Sequence, residues 1–284
     1  RAGFEVAREQ LPLLSSYKQQ SKSFNGNISL QVHGRQLVLI GKNFKVAFSK
    51  ERGTIASYSI GNEELIHSGA VPNFWRPPVD NDLGNGINIS SAAWQLAGRN
   101  TRVVQITVDS STRSTVRVTF FSLVDTLPVG IIQRYTVFGN GAIYVEFNFN
   151  PYQDNLPELL KVGNEFRIKG KLCNMEWYGR GPHESYWDRQ ASAFVGIYSG
   201  TVWEQYHPYV RAQETGNKTD VRWLTLTNSE GKGLLICGTP LVYVNAQQFD
   251  TDKLNHINSL VKHNHGGSIT PDNVISLHVD FRQT

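Results

Sequence analysis

The side chains best suited to chemistry are concentrated between Glu176 and Arg189, where the sequence reads E-W-Y-G-R-G-P-H-E-S-Y-W-D-R. Indole and phenol rings stand here beside carboxylates, arginines and a histidine. Such rings form sugar-binding surfaces, and the same rings also close the corners between packed β-sheets. We expect the packing role for most of them. The substrate-binding or cleft-wall candidates are Trp177, Tyr178, His183, Glu184, Trp187, His207 and Glu214.

Glycoside hydrolysis is one reaction that this stretch could serve. A retaining enzyme needs two carboxyl groups about 5–5.5 Å apart, one of them an acid with a raised pKa. Glu176, Glu184 and Asp188 are close in sequence, but Arg180 and Arg189 lie among them. We expect ion pairs of Asp188 with Arg189 and of Glu184 with Arg180, which lower the pKa of a carboxyl group. The pattern therefore does not indicate an acid–base enzyme, although it leaves that interpretation open.

Sugar epimerisation is a second possible reaction, because it needs a histidine and a glutamate that shuttle a proton. His183 lies beside Glu184, and His207 lies in Y-H-P-Y-V ahead of Glu214. Single histidines near turns are more often hydrogen-bonded structural groups. This interpretation stays open as an alternative.

A second unusual stretch, N-F-W-R-P-P-V-D-N-D-L-G-N-G, covers residues 73–86. Asp80, Asn81 and Asp82 place three oxygen-bearing side chains together in a loop bounded by proline and glycine. A Ca²⁺ ion requires six to eight oxygen ligands, which this loop cannot supply alone. Short polar side chains commonly bond the backbone of their own loop. We therefore predict a structural loop and no metal site.

The element that must position the first stretch is a turn at Gly179, Gly181 and Pro182. Glycine adopts positive φ without a steric penalty, and proline disfavours a helical residue before it. We expect a sharp corner here, with positive φ at the glycines. The residues with expected structural roles are Trp75, Arg76, Asp80, Asn81, Asp82, Gly179, Gly181, Pro182 and Arg189.

Alternating apolar and polar side chains continue through most of the chain from residue 24 onward and predict short β-strands. A Gly139-Asn140-Gly141 turn predicts a hairpin between I-I-Q-R-Y-T-V-F and A-I-Y-V-E-F-N-F. Helix is scarce, and Ser90–Ala97 is the best candidate for one. The fold class is all-β, an antiparallel sandwich or barrel with very little helix.

Composition excludes several classes of function. Lysine and arginine exceed aspartate and glutamate by 28 − 24 = 4, and the charges are scattered, which disfavours nucleic acid as a partner. No apolar run reaches the ~18–20 residues of a membrane span. Cys173 and Cys237 form no C-x-x-C pair, so no metal or redox role is predicted. We expect two small buried side chains, with a single disulfide as the alternative.

Residues 1–22 differ from the rest. F-E-V-A-R-E-Q-L-P-L alternates like one strand and then gives way to serine, glutamine and lysine, which is linker composition. The chain also starts at Arg1 without a methionine. We therefore expect a trailing strand of a preceding domain and a linker over 1–22, and the main domain over 23–284.

Three motifs in this order resemble the C-terminal domain of bacterial β-galactosidases of glycoside hydrolase family 2, the unit called the small chain when it is encoded separately. They are F-W-R-P-P-V-D-N-D-L-G (74–84), E-W-Y-G-R-G-P-H-E-S-Y-W-D-R (176–189) and Y-H-P-Y-V-R-A-Q-E-T-G-N-K-T-D-V-R-W-L (206–224). The segment F-E-V-A-R-E-Q-L-P-L (4–13) resembles the last strand of the immunoglobulin-like domain that precedes it. The resemblance implies an antiparallel super-sandwich similar to galactose mutarotase.

The resemblance also implies a role. The full enzyme would be a retaining β-galactosidase that releases terminal β-D-galactose, with both catalytic glutamates, Mg²⁺ and often Na⁺ in a TIM barrel outside this chain. The family's sugar-stacking tryptophan lies in a G-G-D-D-S-W-like segment, and this chain ends before it at V-D-F-R-Q-T. We expect a non-catalytic domain, lacking its last strands and any cofactor of its own, that buttresses the barrel and walls the substrate cleft.

The expected partners are the other domains of the same enzyme, a galactoside reached through the full enzyme, and further copies of that enzyme in a homo-oligomer. The sequence does not separate a cytoplasmic from a periplasmic location. Two alternatives remain, a stand-alone galactoside-binding module and an aldose 1-epimerase.

Overall fold

A computed structural model describes residues 8–11, 25–255 and 265–283 of the chain. In these residues the fold is all-β and antiparallel, as the sequence predicts. An eleven-stranded sheet has the order β1-β2-β3-β4-β5-β10-β15-β14-β13-β11-β12. Its strands are β1 Ser29–His33, β2 Gln36–Ile40, β3 Phe44–Ser49, β4 Thr54–Ile60, β5 Glu63–Asn73, β10 Lys161–Lys169, β11 Asn174–Gly181, β12 Phe194–Thr201, β13 Lys218–Thr227, β14 Gly233–Gln247 and β15 Val274–Gln283.

A second sheet has four strands in sequential order. They are β6 Thr101–Thr112, β7 Thr115–Val124, β8 Val129–Phe138 and β9 Ile143–Pro151. The predicted hairpin through Gly139–Gly141 joins β8 to β9 and is confirmed. Gly141 has a φ of 91°, which glycine adopts without strain.

The core forms where the small sheet covers the first strands of the large one. Phe48 of β3 lies 4.9 Å from the Tyr135 ring of β8 and 6.2 Å from the Phe120 ring of β7, centroid to centroid. All three rings are buried, because alternate residues of each strand point to the same face. The sheets are also joined by Gln133, whose carboxamide donates to the carbonyl of Ala70 at 2.6 Å. The architecture is that of a β-sandwich.

Helix is short and lies elsewhere than expected. The helices are α1 Asp80–Gly84 and α2 Ile87–Ser90, with a 3₁₀ turn at Ala92–Trp94. The predicted helix over Ser90–Ala97 is therefore mostly wrong, and the predicted loop at Asp80–Asp82 is helical. Tertiary contacts fix Trp94 in the segment where the longer helix was expected. Its buried ring packs against Phe74 at 5.5 Å, and its indole N–H donates to the carbonyl of Pro157 at 3.0 Å.

The prediction of a sharp corner at the glycines is wrong. Gly179 and Gly181 both belong to β11, and neither has a positive φ. The chain reverses farther on, where Tyr186 and Arg189 bond each other's backbone at 3.2 Å and 3.0 Å. The glycines are needed for space instead: a Cβ on Gly179 would lie 2.9 Å from a methyl carbon of Val221.

Replacing Gly181 by alanine tests this close packing. The added Cβ would lie 2.7 Å from a ring carbon of Tyr198 and 3.0 Å from one of Trp177. We expect Gly181→Ala to lower the free energy of unfolding by about 1–3 kcal/mol through overpacking. Gly84→Ala is the matched control, because a Cβ there meets nothing within 4 Å. Equal urea midpoints for the two variants would contradict the packing explanation.

Residues 8–11 lie beside β12, an edge strand of the large sheet. The Gln10 carboxamide donates to the carbonyl of Val195 at 2.8 Å and accepts from its N–H at 2.7 Å. The remainder of the predicted trailing strand and linker, 1–7 and 12–22, lies outside the described residues. The domain boundary at 22/23 therefore stays a prediction.

Two further expectations concern cysteine and the membrane. Cys173 and Cys237 are not disulfide-bonded, and Cys237 is exposed, contrary to the expectation that both are buried. Its position on β14 puts its side chain on the outer face of the large sheet. Over the described residues, no helix combines the length and apolar character that a membrane crossing needs.

Candidate functional site

A cavity of about 400 Å³ opens beside the turn that follows β11. Its walls come from the connection between β11 and β12, from the segment with the 3₁₀ turn Trp203–Gln205, and from the first residue of β13. The structure thus brings together three of the predicted candidates, His183, Glu184 and His207, and two predicted structural residues, Pro182 and Arg189. Residues that were not predicted complete the wall, among them Tyr209 and Lys218.

Glu184 is the centre of this arrangement. One carboxylate oxygen accepts from the Arg189 guanidinium at 2.7 Å and from the Tyr209 hydroxyl. The other accepts from the Gly216 N–H at 2.8 Å and from the Thr215 hydroxyl at 3.3 Å. A carboxylate has about four lone-pair sites, so protein donors occupy all of them. Glu184 therefore joins the connection after β11 to the segment before β13.

The ion pairs differ from those expected. Glu184 pairs with Arg189, while Arg180 pairs with Asp220 at 2.6 Å. Sequence proximity suggested the partners, but Arg180 lies on β11 and points toward the chain that begins β13. Burial, together with the neighbouring charge of Glu184, raises the pKa of Tyr209, which keeps this phenol a donor at neutral pH.

Neither histidine of the cavity is hydrogen-bonded to a described glutamate as an acid–base pair would require; each contacts another side chain. His183 shares a 3.0 Å hydrogen bond with the Ser192 hydroxyl, and the His207 ring meets the Tyr209 ring edge to face at 4.3 Å. Glu184, the nearby glutamate, accepts from protein groups alone. The geometry therefore does not favour the epimerase interpretation.

Glu214 lies apart from the cavity and is buried. It accepts from the carboxamides of Asn245 at 2.7 Å and Gln283 at 3.3 Å. Its charge, added to the larger effect of burial, raises the pKa of the Tyr186 hydroxyl well above the ordinary value. Glu214 therefore serves as an internal acceptor that ties β14 and β15 to the segment before β13.

The aromatic candidates do not form one platform. Trp177 is only 1% exposed, and its indole N–H donates to the carbonyl of Arg180 at 3.0 Å, so its ring is core and not a sugar-contacting surface. Tyr178 points to the opposite face of β11, where it meets Trp223 at 6.3 Å. Trp187 is 57% exposed at the tip of the turn. Alternation along β11 places Trp177 and Tyr178 on opposite faces of the sheet, and Trp187 lies in the turn beyond the strand.

The Asp80–Asp82 segment has a structural role. The Asp82 carboxylate makes a two-point ion pair with the buried Arg76 guanidinium, one contact of 3.1 Å and one shorter, and accepts from the N–H of Val79 at 2.8 Å. Asp80 is exposed and pairs with Arg211 at 3.3 Å. Asn81 is exposed, and Trp75 is buried with its indole N–H donating to Asn255 at 2.9 Å.

Sequence reasoning missed a buried polar cluster on β10 and β15. The Lys161 ammonium donates to the Nδ1 atom of His278 at 3.0 Å and to Asp280 at 3.2 Å. Burial, with help from the positive charge of Lys161, lowers the pKa of His278 well below its usual value, and burial raises the pKa of Asp280 to about 6. The signal was the polar pair at alternate positions of the apolar strand V-I-S-L-H-V-D-F.

Metal binding finds no support in the described part of the chain. No three histidine, cysteine, aspartate or glutamate side chains converge there closely enough to hold an ion. Two buried carboxylates that could serve as ligands are paired with positively charged side chains, Asp82 with Arg76 and Asp280 with Lys161.

Known proteins resemble this chain over most of its length. A family model described as "Beta galactosidase small chain" matches residues 40–284. The β-galactosidase of Priestia megaterium is 34% identical over 283 residues, which is 99% of this chain and 27% of the relative. The β-galactosidase of Lactobacillus delbrueckii subsp. bulgaricus is 35% identical over 69% of this chain and 19% of its own length. The chain thus spans about a quarter of these relatives or less.

Proposed function

Because the chain belongs to the β-galactosidase small-chain family, we propose that it works as a non-catalytic part of a longer β-galactosidase. The observation that carries this proposal is the pattern of coverage. Nearly the whole chain matches the Priestia megaterium enzyme, but it accounts for only 27% of that enzyme's length. Most of the machinery of such an enzyme would therefore lie in other segments.

The site geometry supports the non-catalytic role. A glycosidase needs one carboxyl group free to protonate a leaving group and a second free to attack the sugar. Glu184 has four protein donors, and Glu214 is buried against two carboxamides. Both carboxylates are thus committed to holding the fold together.

In this proposal the chain buttresses a catalytic barrel and walls one side of its substrate cleft. The catalytic glutamates, and the Mg²⁺ and Na⁺ sites that the resemblance implies, would belong to the barrel. The galactoside would reach the chain only through the full enzyme, which would assemble as a homo-oligomer. Nothing observed at the cavity favours a stand-alone sugar-binding module over this role, since Trp177 is buried and Trp187 stands alone.

A chimera tests the proposal. The quarter of the Priestia megaterium β-galactosidase that matches this chain is deleted, and in a second version it is replaced by this chain. We expect no hydrolysis of a chromogenic galactoside by the deletion enzyme or by this chain alone, and hydrolysis by the chimera with a KM within about tenfold of the parent.

Two variants of the chimera serve as internal controls. Glu184→Gln should reduce the yield of folded enzyme, and Glu204→Gln on the exposed rim of the same cavity should leave it unchanged. Hydrolysis by this chain alone, abolished by Glu184→Gln but not by Glu204→Gln, would overturn the proposal. A chimera that melts cooperatively but stays inactive would do the same.

A further inference from the structure

Lys218 is a buried cation that faces the cavity. Its side chain is at the wall of the space beside His183 and Tyr206, although the residue as a whole is only 1% exposed. It is the first residue of β13, and its neighbours Asn217 and Thr219 are fully buried. Lys218 is thus held by a β-strand at the wall of an open volume.

This ammonium lacks a strong partner among the described residues. No hydrogen bond and no ion pair joins it to a described carboxylate, carbonyl or hydroxyl group. Glu184 attracts it from a distance, but four other donors occupy that carboxylate. The contact that remains is with the ring of Trp177, whose centroid lies 5.1 Å from Nζ. A cation–π contact compensates only part of the cost of burying a charge.

We propose that the cavity binds a small organic carboxylate, one oxygen of which accepts a hydrogen bond from Lys218. This inference concerns the chain itself and does not depend on its being part of a β-galactosidase. The carboxylate would complete the ion pair that the fold leaves open. A volume of about 400 Å³ suits a ligand of monosaccharide size and lies within the range of ordinary small-molecule sites.

The arrangement of charge favours an anion over a neutral sugar. Inside the cavity Arg189 neutralises Glu184, which leaves the charge of Lys218 uncompensated. The other carboxylate, Glu204, is fully exposed at the rim and accepts from the N–H of Thr201 at 2.6 Å. Water screens such a charge far more than a buried one. The buried charge that remains uncompensated at the cavity is therefore positive.

The charge state of Lys218 agrees with this ligand. Burial lowers its pKa to about 8, against the opposing attraction of Glu184, so that most molecules remain protonated at pH 7. The other titratable groups at the cavity are His183, Glu184, Arg189, Glu204, Tyr206, His207 and Tyr209. A bound carboxylate would stabilise the ammonium form and raise the pKa of Lys218 again.

The test measures binding by calorimetry at pH 6.5 with the 284-residue chain. Galactonate is the probe, galactose is its neutral counterpart, and N-acetylglutamate amide represents a carboxylate supplied by a protein side chain. We expect at least one carboxylate to bind with a dissociation constant below about 10 mM and at least tenfold more tightly than galactose. Binding of the amide alone assigns the cavity to a protein carboxylate, and binding of galactonate assigns it to a free acid.

Lys218→Met leaves an unbranched side chain that is one atom shorter and can still lie against the Trp177 ring, but it removes the charge. We expect it to weaken carboxylate binding at least tenfold. Lys232→Met, at an exposed lysine paired with Glu230, should leave binding unchanged. If Lys218→Met does not fold, NMR titration of the wild-type lysine amines replaces it, and the carboxylate should raise the lowest lysine pKa. Equal binding of galactose and galactonate, no saturable binding, or full binding by Lys218→Met would overturn the proposal.

Discussion

Replacing Glu184 by glutamine should lower the free energy of unfolding by about 1–3 kcal/mol, because it leaves buried donors without an acceptor, while the ion pair with Arg189, whose side chain is 58% exposed, adds little. The carboxylate accepts from Arg189 and Tyr209 on one oxygen and from Thr215 and Gly216 on the other. In either orientation the glutamine amide would place N–H groups against two of these donors. Urea unfolding followed by tryptophan fluorescence measures the change.

Glu204→Gln is the matched control for this prediction. Glu204 lines the same cavity, but it is fully exposed and bonded to the backbone of Thr201. Its replacement should leave the urea midpoint almost unchanged, because water hydrates this exposed side chain in both the folded and the unfolded state. Similar losses of stability in both variants would show that Glu184 does not hold the two segments together.

The second large effect is expected at Asp82. Asp82→Asn leaves the Arg76 guanidinium buried beside a neutral amide, and it weakens the bond to the Val79 N–H at the start of α1. Burial by itself would lower the pKa of Arg76, but the hydrogen bond and charge of Asp82, with a smaller contribution from the charge of Glu214, outweigh it and raise that pKa. We expect a loss of about 3–5 kcal/mol, the usual consequence of removing one member of a buried pair.

Asp80→Asn provides the comparison for Asp82→Asn, two residues away in the same helix. Its pair with Arg211 is exposed, so the expected loss is below about 1 kcal/mol. Thermal melts of the two variants at low and high salt separate the cases, because salt screens the exposed pair alone. An Asp82→Asn protein as stable as Asp80→Asn would mean that Arg76 finds a second partner of equal strength.

Local pattern was sufficient for the strands. Alternation of apolar side chains predicts β2, β3, β7 and β8, and the Gly139–Gly141 turn predicts the hairpin to β9, because both depend on backbone geometry within a few residues. The three motifs likewise identified the family that the comparisons show. These features need no knowledge of which distant segments meet.

The partners of charged and aromatic side chains needed the folded chain. Alternation places Trp177 and Tyr178 on opposite faces of β11, but only the packing of the sheets decides that Trp177 is the buried one. Arg180 and Glu184 are near in sequence, yet each pairs elsewhere, with Asp220 and Arg189.

The Lys218 cavity is formed by segments that are far apart in sequence. The connection after β11, the segment with the 3₁₀ turn Trp203–Gln205 and the start of β13 meet there only after the large sheet has assembled. Sequence by itself therefore determined most of the strands, the hairpin turn at Gly139–Gly141 and the family of this protein. Tertiary structure decided which side chains are buried, which charges are neutralised and which one is left facing a cavity, because these depend on contacts between residues that no local pattern connects.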